Sequence, residues 1–130
     1  MTNFTILLAS KGDFKSDIKD YLIQLIDTNP ALGRKAISNL QYLSKKIEGN
    51  QDIKPMKNLG VKFFELKVQS KSNICRFFFV IEEPNVIVLY GFTKKTQKTD
   101  KKDLNAGIRA YENYKETKLT IPFAIFFDNL

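Results

Sequence analysis

The chain has 130 residues, 43% apolar and 27% charged, which is typical of one globular domain rather than of a disordered segment. Its formal net charge of +7 and sequence pI of about 9.5 favour an acidic partner such as nucleic acid. Histidine is absent and Cys75 is the single cysteine. These counts exclude Ser-His and Cys-His catalysis and an intramolecular disulfide, and they argue against a zinc site.

The first half of the chain predicts a short strand followed by two helices. Residues 4–9 form the strand, and Asp13 or Ser16 can cap the first helix. The pair Asn29-Pro30 ends that helix and begins a second one, which we expect to run to Gly49. The apolar residues of the first helix recur at helical spacing: Phe14, Ile18, Tyr21, Leu22, Leu25 and Ile26. Two antiparallel helices joined by a tight turn are therefore predicted.

The second half predicts strands and then a helix. Residues 61–69, 74–81 and 86–92 are rich in β-branched and aromatic side chains, and short turn-like segments separate them. Three successive phenylalanines, residues 77–79, point to both faces of the sheet, so we expect both faces to be covered. Residues 99–117 form the last helix. We predict an α+β domain over 1–130, with an antiparallel meander sheet of about four strands, an N-terminal helical pair and a C-terminal helix.

The C-terminal tail has an unusual pattern. From 119 to 127 every odd-numbered residue is a large hydrophobe, and Pro122 allows only an edge strand. A final strand or extended cover over the core is the simpler interpretation. The alternative is an adhesive segment that a partner protein completes.

Nothing in the chain resembles a signal peptide or a membrane span. The apolar patch at residues 4–9 is too short for either, and an acidic helix follows it. The lone Cys75 lies in an apolar run, where cysteine behaves as a small buried hydrophobe rather than as a catalytic thiol. We therefore expect a cytoplasmic protein without a membrane partner.

Positive charge is concentrated after the third meander strand. Residues 91–102 contain five lysines and one aspartate, and residues 54–76 carry a net charge of +5, whereas residues 1–30 carry −1. A strand end that leads into dense positive charge suits a phosphate-bearing ligand. A solvated basic loop is the alternative interpretation.

Strand alternation brings several charged residues to one face. Glu65 and Lys67 share a face of the first meander strand, Arg76 lies on its hairpin neighbour, and Lys94 and Lys95 follow the third strand. Cleavage of RNA through its own 2′-hydroxyl needs a proton acceptor, a proton donor and cations for the pentavalent phosphorane. Because histidine is absent, crowded lysines are the candidate proton carriers. The sequence thus favours a phosphodiester site on this face.

Four segments carry a family resemblance: IKPMKNLG at 53–60, FFELKV at 63–68, ICRFFF at 74–79 and GFTKKTQKT at 91–99. Together they resemble the phage-derived, HigB-type branch of the RelE toxin superfamily, over about residues 11–116. Members of that superfamily are small cytoplasmic prokaryotic toxins with a compact α/β fold. Typical members cut mRNA in the ribosomal A site and are silenced by an antitoxin encoded alongside, often with a helix-turn-helix domain.

The resemblance assigns five catalytic residues. Arg76 matches the family's strand arginine, and Lys67 occupies a basic strand position that is usually arginine. Lys94, Lys95 and Lys98 match the terminal lysine cluster. A lysine at position 67 replaces a bidentate guanidinium with a titratable point charge.

Other positions are assigned to substrate binding. Glu65 matches the branch's strand glutamate, for which a structural role is an equal alternative, and Lys101 and Lys102 extend the basic surface. Asp100 stands where proline is common in the family, and it can still cap the last helix.

Three functions follow from the resemblance and the charge pattern. The first is a ribosome-dependent endoribonuclease toxin in which Arg76 and Lys95 stabilise the phosphorane and Lys67, Lys94 or Lys98 assists proton transfer. No metal or other cofactor is needed, and the partners are mRNA on the ribosome and a cognate antitoxin, with a homo- or hetero-oligomer possible. The second is a non-catalytic toxin that binds RNA or, like a sister branch, DNA gyrase. The third is an inactive prophage remnant.

Overall fold

A computed structural model describes residues 3–56, 63–94 and 99–128 of the chain. In these ranges one sheet of six strands is combined with four helices. In chain order the elements are β1 (Thr5–Ala9), α1 (Asp17–Thr28), α2 (Pro30–Tyr42), β2 (Ile53–Pro55), β3 (Phe63–Ser70), β4 (Asn73–Glu82), β5 (Asn85–Lys94), α3 (Lys101–Thr117), β6 (Thr120–Pro122) and α4 (Phe123–Phe127).

The helical pair begins where its capping residues predict. Of the two candidates, Ser16 caps α1, since its side chain accepts a hydrogen bond from the Lys19 backbone N–H. Asn29 ends α1 with its own N–H and caps α2 with its side chain, which confirms the tight turn. The predicted end of the second helix at Gly49 was wrong. The helix ends at Tyr42. There the Ser44 hydroxyl donates to a backbone carbonyl of the last turn, which would otherwise accept the next hydrogen bond of the helix.

The sheet is larger than the sequence predicts, and it is mixed. Its strand order is β2-β3-β4-β5-β1-β6, with β3, β4 and β5 forming the predicted antiparallel meander. The prediction of about four antiparallel strands was wrong, because β2 and β6 extend both edges and β1 pairs parallel to β5. Edge strands of three residues carry too little alternation to be recognised in a sequence.

Each face of the sheet has its own apolar core. Leu66, Val68, Phe77 and Phe79 point to the face covered by α1, α2 and α4, whereas Phe63, Phe78 and Val80 point to the face covered by α3. The arrangement of helices differs from the expectation, because α4 joins the helical pair on its face. No helix in the described ranges is both long and apolar enough to span a membrane.

The tail is only partly extended. β6 pairs antiparallel with β1 as far as Pro122, and α4 begins directly afterwards. Phe123 and Phe127 are buried at helical spacing with ring centroids 5.0 Å apart, whereas Ile125 is 71% exposed. The expectation of an extended segment beyond Pro122 was therefore wrong. Two hydrophobes four residues apart, such as Phe123 and Phe127, can share one face of a helix or one face of a strand. The sequence pattern therefore fits both structures.

Close packing of α3 against the sheet depends on Gly107. A Cβ atom added there would come within 2.4 Å of Phe78 Cδ2. On an exposed helix, a glycine-to-alanine change stabilises by about 1 kcal/mol. We expect Gly107→Ala to do the opposite and to lower the free energy of unfolding in urea by about 1–3 kcal/mol, because the helix is pushed off the sheet. Asn105→Ala, at an exposed position of α3, is the control and should be neutral or stabilising. A Gly107→Ala variant as stable as the wild type would contradict this packing.

Candidate functional site

Strand pairing brings three of the predicted site residues to one end of the sheet. Lys67 on β3 lies directly opposite Arg76 on β4, and Arg76 lies opposite Phe92 on β5. Lys94 lies two residues beyond Phe92, and therefore on the same face. This is the face that α3 covers. We call the surface formed by Lys67, Lys94 and the start of α3, with the buried Arg76 beneath it, the basic face.

A buried ion pair lies beneath the basic face. Arg76 Nη1 donates to Glu65 Oε1 at 2.7 Å, and the two residues are 4% and 2% exposed. The Thr99 hydroxyl donates to the other oxygen, Glu65 Oε2, at 2.6 Å. Glu65 therefore holds Arg76 and the residue just before α3 at the same time. This geometry matches the structural role for Glu65 rather than direct contact with a substrate.

Lys94 belongs to a second network at the start of α3. Its ammonium group pairs with Asp100 and lies 4.0 Å from Asp103 Oδ2, while the Tyr90 hydroxyl donates to Asp103 Oδ1 at 3.3 Å. Asp100 also accepts from the Asp103 backbone N–H at 3.1 Å, so its predicted role as a helix cap is confirmed. The lysine thus lies between two carboxylates rather than in open solvent.

The two carboxylates of this network titrate differently. The hydrogen bond from Lys94 lowers the pKa of Asp100 to about 2. Burial raises the pKa of Asp103, and the neighbouring Asp100 carboxylate adds to the effect. A carboxyl group with a raised pKa beside several cations is a candidate proton acceptor. Sequence reasoning missed Asp103, because an aspartate in a first helical turn is ordinarily explained by the helix dipole.

The remaining predicted site residues lie near the start of α3 in the sequence. Lys101 and Lys102 are exposed in its first turn. Lys95 and Lys98 lie outside the described residues, so their assigned roles stay predictions. The residues on either side of that segment take part in the networks, since Lys94 pairs with Asp100 and Thr99 donates to Glu65. No group of three His, Cys, Asp or Glu side chains in the described ranges could hold a metal ion.

Comparison with known families adds an independent observation. Residues 24–112, well over half of the chain, match the family described as "Phage derived protein Gp49-like (DUF891)". The chain belongs to this family. The family is linked to toxins of the RelE/HigB type from toxin–antitoxin systems. Comparisons with the curated proteins and with the solved structures found no match.

The Gp49-like region contains β3, β4, β5 and most of α3, and with them the whole basic face. A groove of about 530 Å³ runs along α3. Tyr90, which binds Asp103, lines this groove together with Lys11, Arg109 and Asn113 above an apolar floor. Tyr90 therefore connects the groove with the carboxylates at the start of α3.

Cys75 takes no part in the site. It is fully buried between the sheet and the helical pair, and burial raises the pKa of its thiol to about 12. A thiol of this kind is almost entirely protonated at neutral pH and is a poor nucleophile. The prediction that Cys75 acts as a small buried hydrophobe is confirmed.

The contact between Thr99 and Glu65 can be tested by an isosteric change. We expect Thr99→Val to lower the free energy of unfolding by about 1–3 kcal/mol, because a buried carboxylate oxygen loses its donor. The measurement is urea denaturation followed by circular dichroism. Thr5→Val, at an exposed strand position, is the matched control and should change stability by less than about 0.5 kcal/mol. Equal effects of the two changes would contradict a structural role for Thr99.

Proposed function

We propose that this protein is the toxin of a type II toxin–antitoxin system of the RelE superfamily and that it cleaves mRNA on the ribosome. Membership of the Gp49-like family supports a toxin that pairs with an antitoxin. The observation that carries the nuclease proposal is the meeting of Lys67, Arg76 and Lys94 with Asp103 at one end of the sheet. Cations and a carboxyl group with a raised pKa are the groups that RNA cleavage requires.

The reaction is a transfer of the phosphodiester to the neighbouring ribose. Asp103 accepts the proton of the 2′-hydroxyl, whose oxygen forms a bond to phosphorus while the bond from phosphorus to the 5′-oxygen breaks. The leaving oxygen takes a proton from a lysine ammonium group, for which Lys67 and Lys98 are the candidates. Lys94 and Lys95 stabilise the charge of the phosphorane. The products are a 2′,3′-cyclic phosphate and a 5′-hydroxyl.

Arg76 has a particular place in this proposal. Its charge is balanced by Glu65 inside the protein, so it contributes less net positive charge to the surface than an exposed arginine would. It lies directly opposite Lys67 on the neighbouring strand. Lys101 and Lys102 on the exposed first turn of α3 would hold neighbouring phosphates.

Dependence on the ribosome follows from the small size of the site. The basic face holds few groups that could orient an RNA chain, and positioning accounts for much of the rate in such reactions. The ribosome presents mRNA in a fixed path and supplies this orientation. The proposed partners are mRNA on the ribosome and, from the family resemblance, a cognate antitoxin, which in that family often has a helix-turn-helix domain.

A non-catalytic binding toxin is the second candidate. The neutralisation of Arg76 by Glu65 and the pairing of Lys94 with Asp100 favour it, because both reduce the positive charge available to a phosphorane. Such a protein would inhibit translation or DNA gyrase by contact alone.

Primer extension on mRNA from an in vitro translation reaction separates the two candidates. We expect the wild type to cut inside codons only when ribosomes are present. Asp103→Asn should slow cleavage by about 100-fold or more, because it removes the proton acceptor, and a similar loss in Lys67→Ala would identify Lys67 rather than Lys98 as the proton donor. Lys45→Ala removes an exposed lysine just beyond α2 and is the control, with an expected rate equal to that of the wild type.

Intact mRNA in the wild-type reaction would contradict the nuclease. Intact mRNA in a reaction whose translation is nevertheless inhibited by the wild type would refute the nuclease and support the binding toxin. Intact mRNA with normal translation would support an inactive remnant.

A further inference from the structure

Exposed large hydrophobes are concentrated in two segments of the chain. Four of the five in the described ranges belong to the segment before α1, to α1 itself or to the C-terminal tail. They are Phe14 at 69% exposure, Ile23 at 52%, Leu119 at 44% and Ile125 at 71%. We call these four residues the apolar edge. The fifth, Tyr42, lies at the end of α2.

Contacts through Lys19 and Gly12 join the members of the apolar edge. Lys19 Nζ donates to the Phe14 carbonyl at 3.1 Å and lies 4.8 Å from the centre of the Phe126 ring. Phe126 is the neighbour of Ile125 on α4, and Ile23 lies one helical turn after Lys19 on α1. The side chain of Leu119 lies beside Gly12, two residues before Phe14. Phe14, Leu119, Ile23 and α4 therefore lie in one region of the molecule, around Lys19 and Gly12.

The turn that carries Phe14 holds its side chain in solvent. Asp13 and Phe14 have φ angles of 53° and 60°, a left-handed conformation that a bulky residue rarely adopts. The buried side chain of Ser10 fixes the turn, because its hydroxyl donates to the Lys15 carbonyl at 2.9 Å and accepts from the Gly12 N–H at 3.0 Å. Backbone strain maintained around an exposed aromatic side chain is typical of a binding surface.

The charges around the apolar edge indicate which partner it fits. Residues 1–30 contain three lysines and four aspartates, whereas the remaining chain carries a net charge of +8. Phe14 and Ile23 lie in residues 1–30, so two copies that meet at the apolar edge bring together a segment of net charge −1 rather than the basic segments.

The exposed apolar area and the proline in the edge strand favour a dimer that is held by side-chain contacts rather than by strand pairing. The four exposed hydrophobes leave on the order of 400 Å² of apolar surface, about half of the ~800 Å² that each partner buries in a standard interface. Pro122 has no N–H to offer at the β6 edge, which disfavours pairing of strands between copies. Phe14, Ile23, Leu119 and Ile125 also lie outside the family match at 24–112, and thus outside the region that contains the basic face.

We propose that the apolar edge is a homodimer interface in which Phe14 and Ile125 are the central contacts. The proposal does not depend on nuclease activity. It assigns the C-terminal tail a partner, namely a second copy of the same chain. An interface of this kind uses none of the residues that form the basic face.

Sedimentation velocity over a wide range of protein concentration tests the proposal. We expect a dimer for the wild type and for the control Tyr42→Ser, and at least a tenfold weaker association for Phe14→Ser and for Ile125→Ser. Ile23→Glu, on a regular helix away from the strained turn, is a further variant that should also be monomeric. Circular dichroism confirms that each variant is folded.

Salt gives an independent test of the same interface. Association should become tighter as salt increases, because screening reduces repulsion between two molecules of charge +7 while apolar contacts persist. A wild type that stays monomeric at every concentration would overturn the proposal and leave the edge for a different protein. Association that is equally strong in Phe14→Ser and Tyr42→Ser, or that weakens with salt, would also overturn it.

Discussion

The buried ion pair between Glu65 and Arg76 is the interaction on which the basic face depends. Two charges removed from water are tolerated only when each finds its partner in good geometry, so the pair permits one arrangement of β3 and β4. A shift of one residue between these strands would place the two side chains on opposite faces of the sheet. Thr99 extends the constraint to the chain just before α3. The ion pair therefore fixes where Lys67, Lys94 and the first turn of α3 meet.

Local patterns in the sequence predict much of this arrangement. Alternation in β3 and β4 was sufficient to place Glu65, Lys67 and Arg76 on one face, and Asn29 was sufficient to locate the turn between the helices. Long-range features were not predictable in the same way. The parallel pairing of β1 with β5 joins segments about eighty residues apart, and no local pattern encodes that distance. The raised pKa of Asp103 depends on its burial, and the burial of a residue is known only once the fold is known.

The two surfaces that we assign to binding lie in different parts of the chain. The basic face is built within the region matched by the Gp49-like family, whereas the apolar edge comes from segments that flank it. Charge separates them as well, since residues 1–30 carry a net charge of −1 in a protein of charge +7. A protein that binds RNA through one segment and a second copy of itself through segments of small net charge would have this distribution. Substitutions on one surface can then leave the other unchanged, because the two surfaces share no residues.

A double-mutant cycle on Glu65 and Arg76 tests the central claim most directly. The free energy of unfolding is measured in urea for the wild type, Glu65→Leu, Arg76→Leu and the double variant. Each single change should cost about 3–5 kcal/mol, because it leaves an unpaired charge in the interior, and the double variant should be more stable than either single variant. Additive losses in the double variant would contradict the account, since they would mean that the two side chains do not depend on one another.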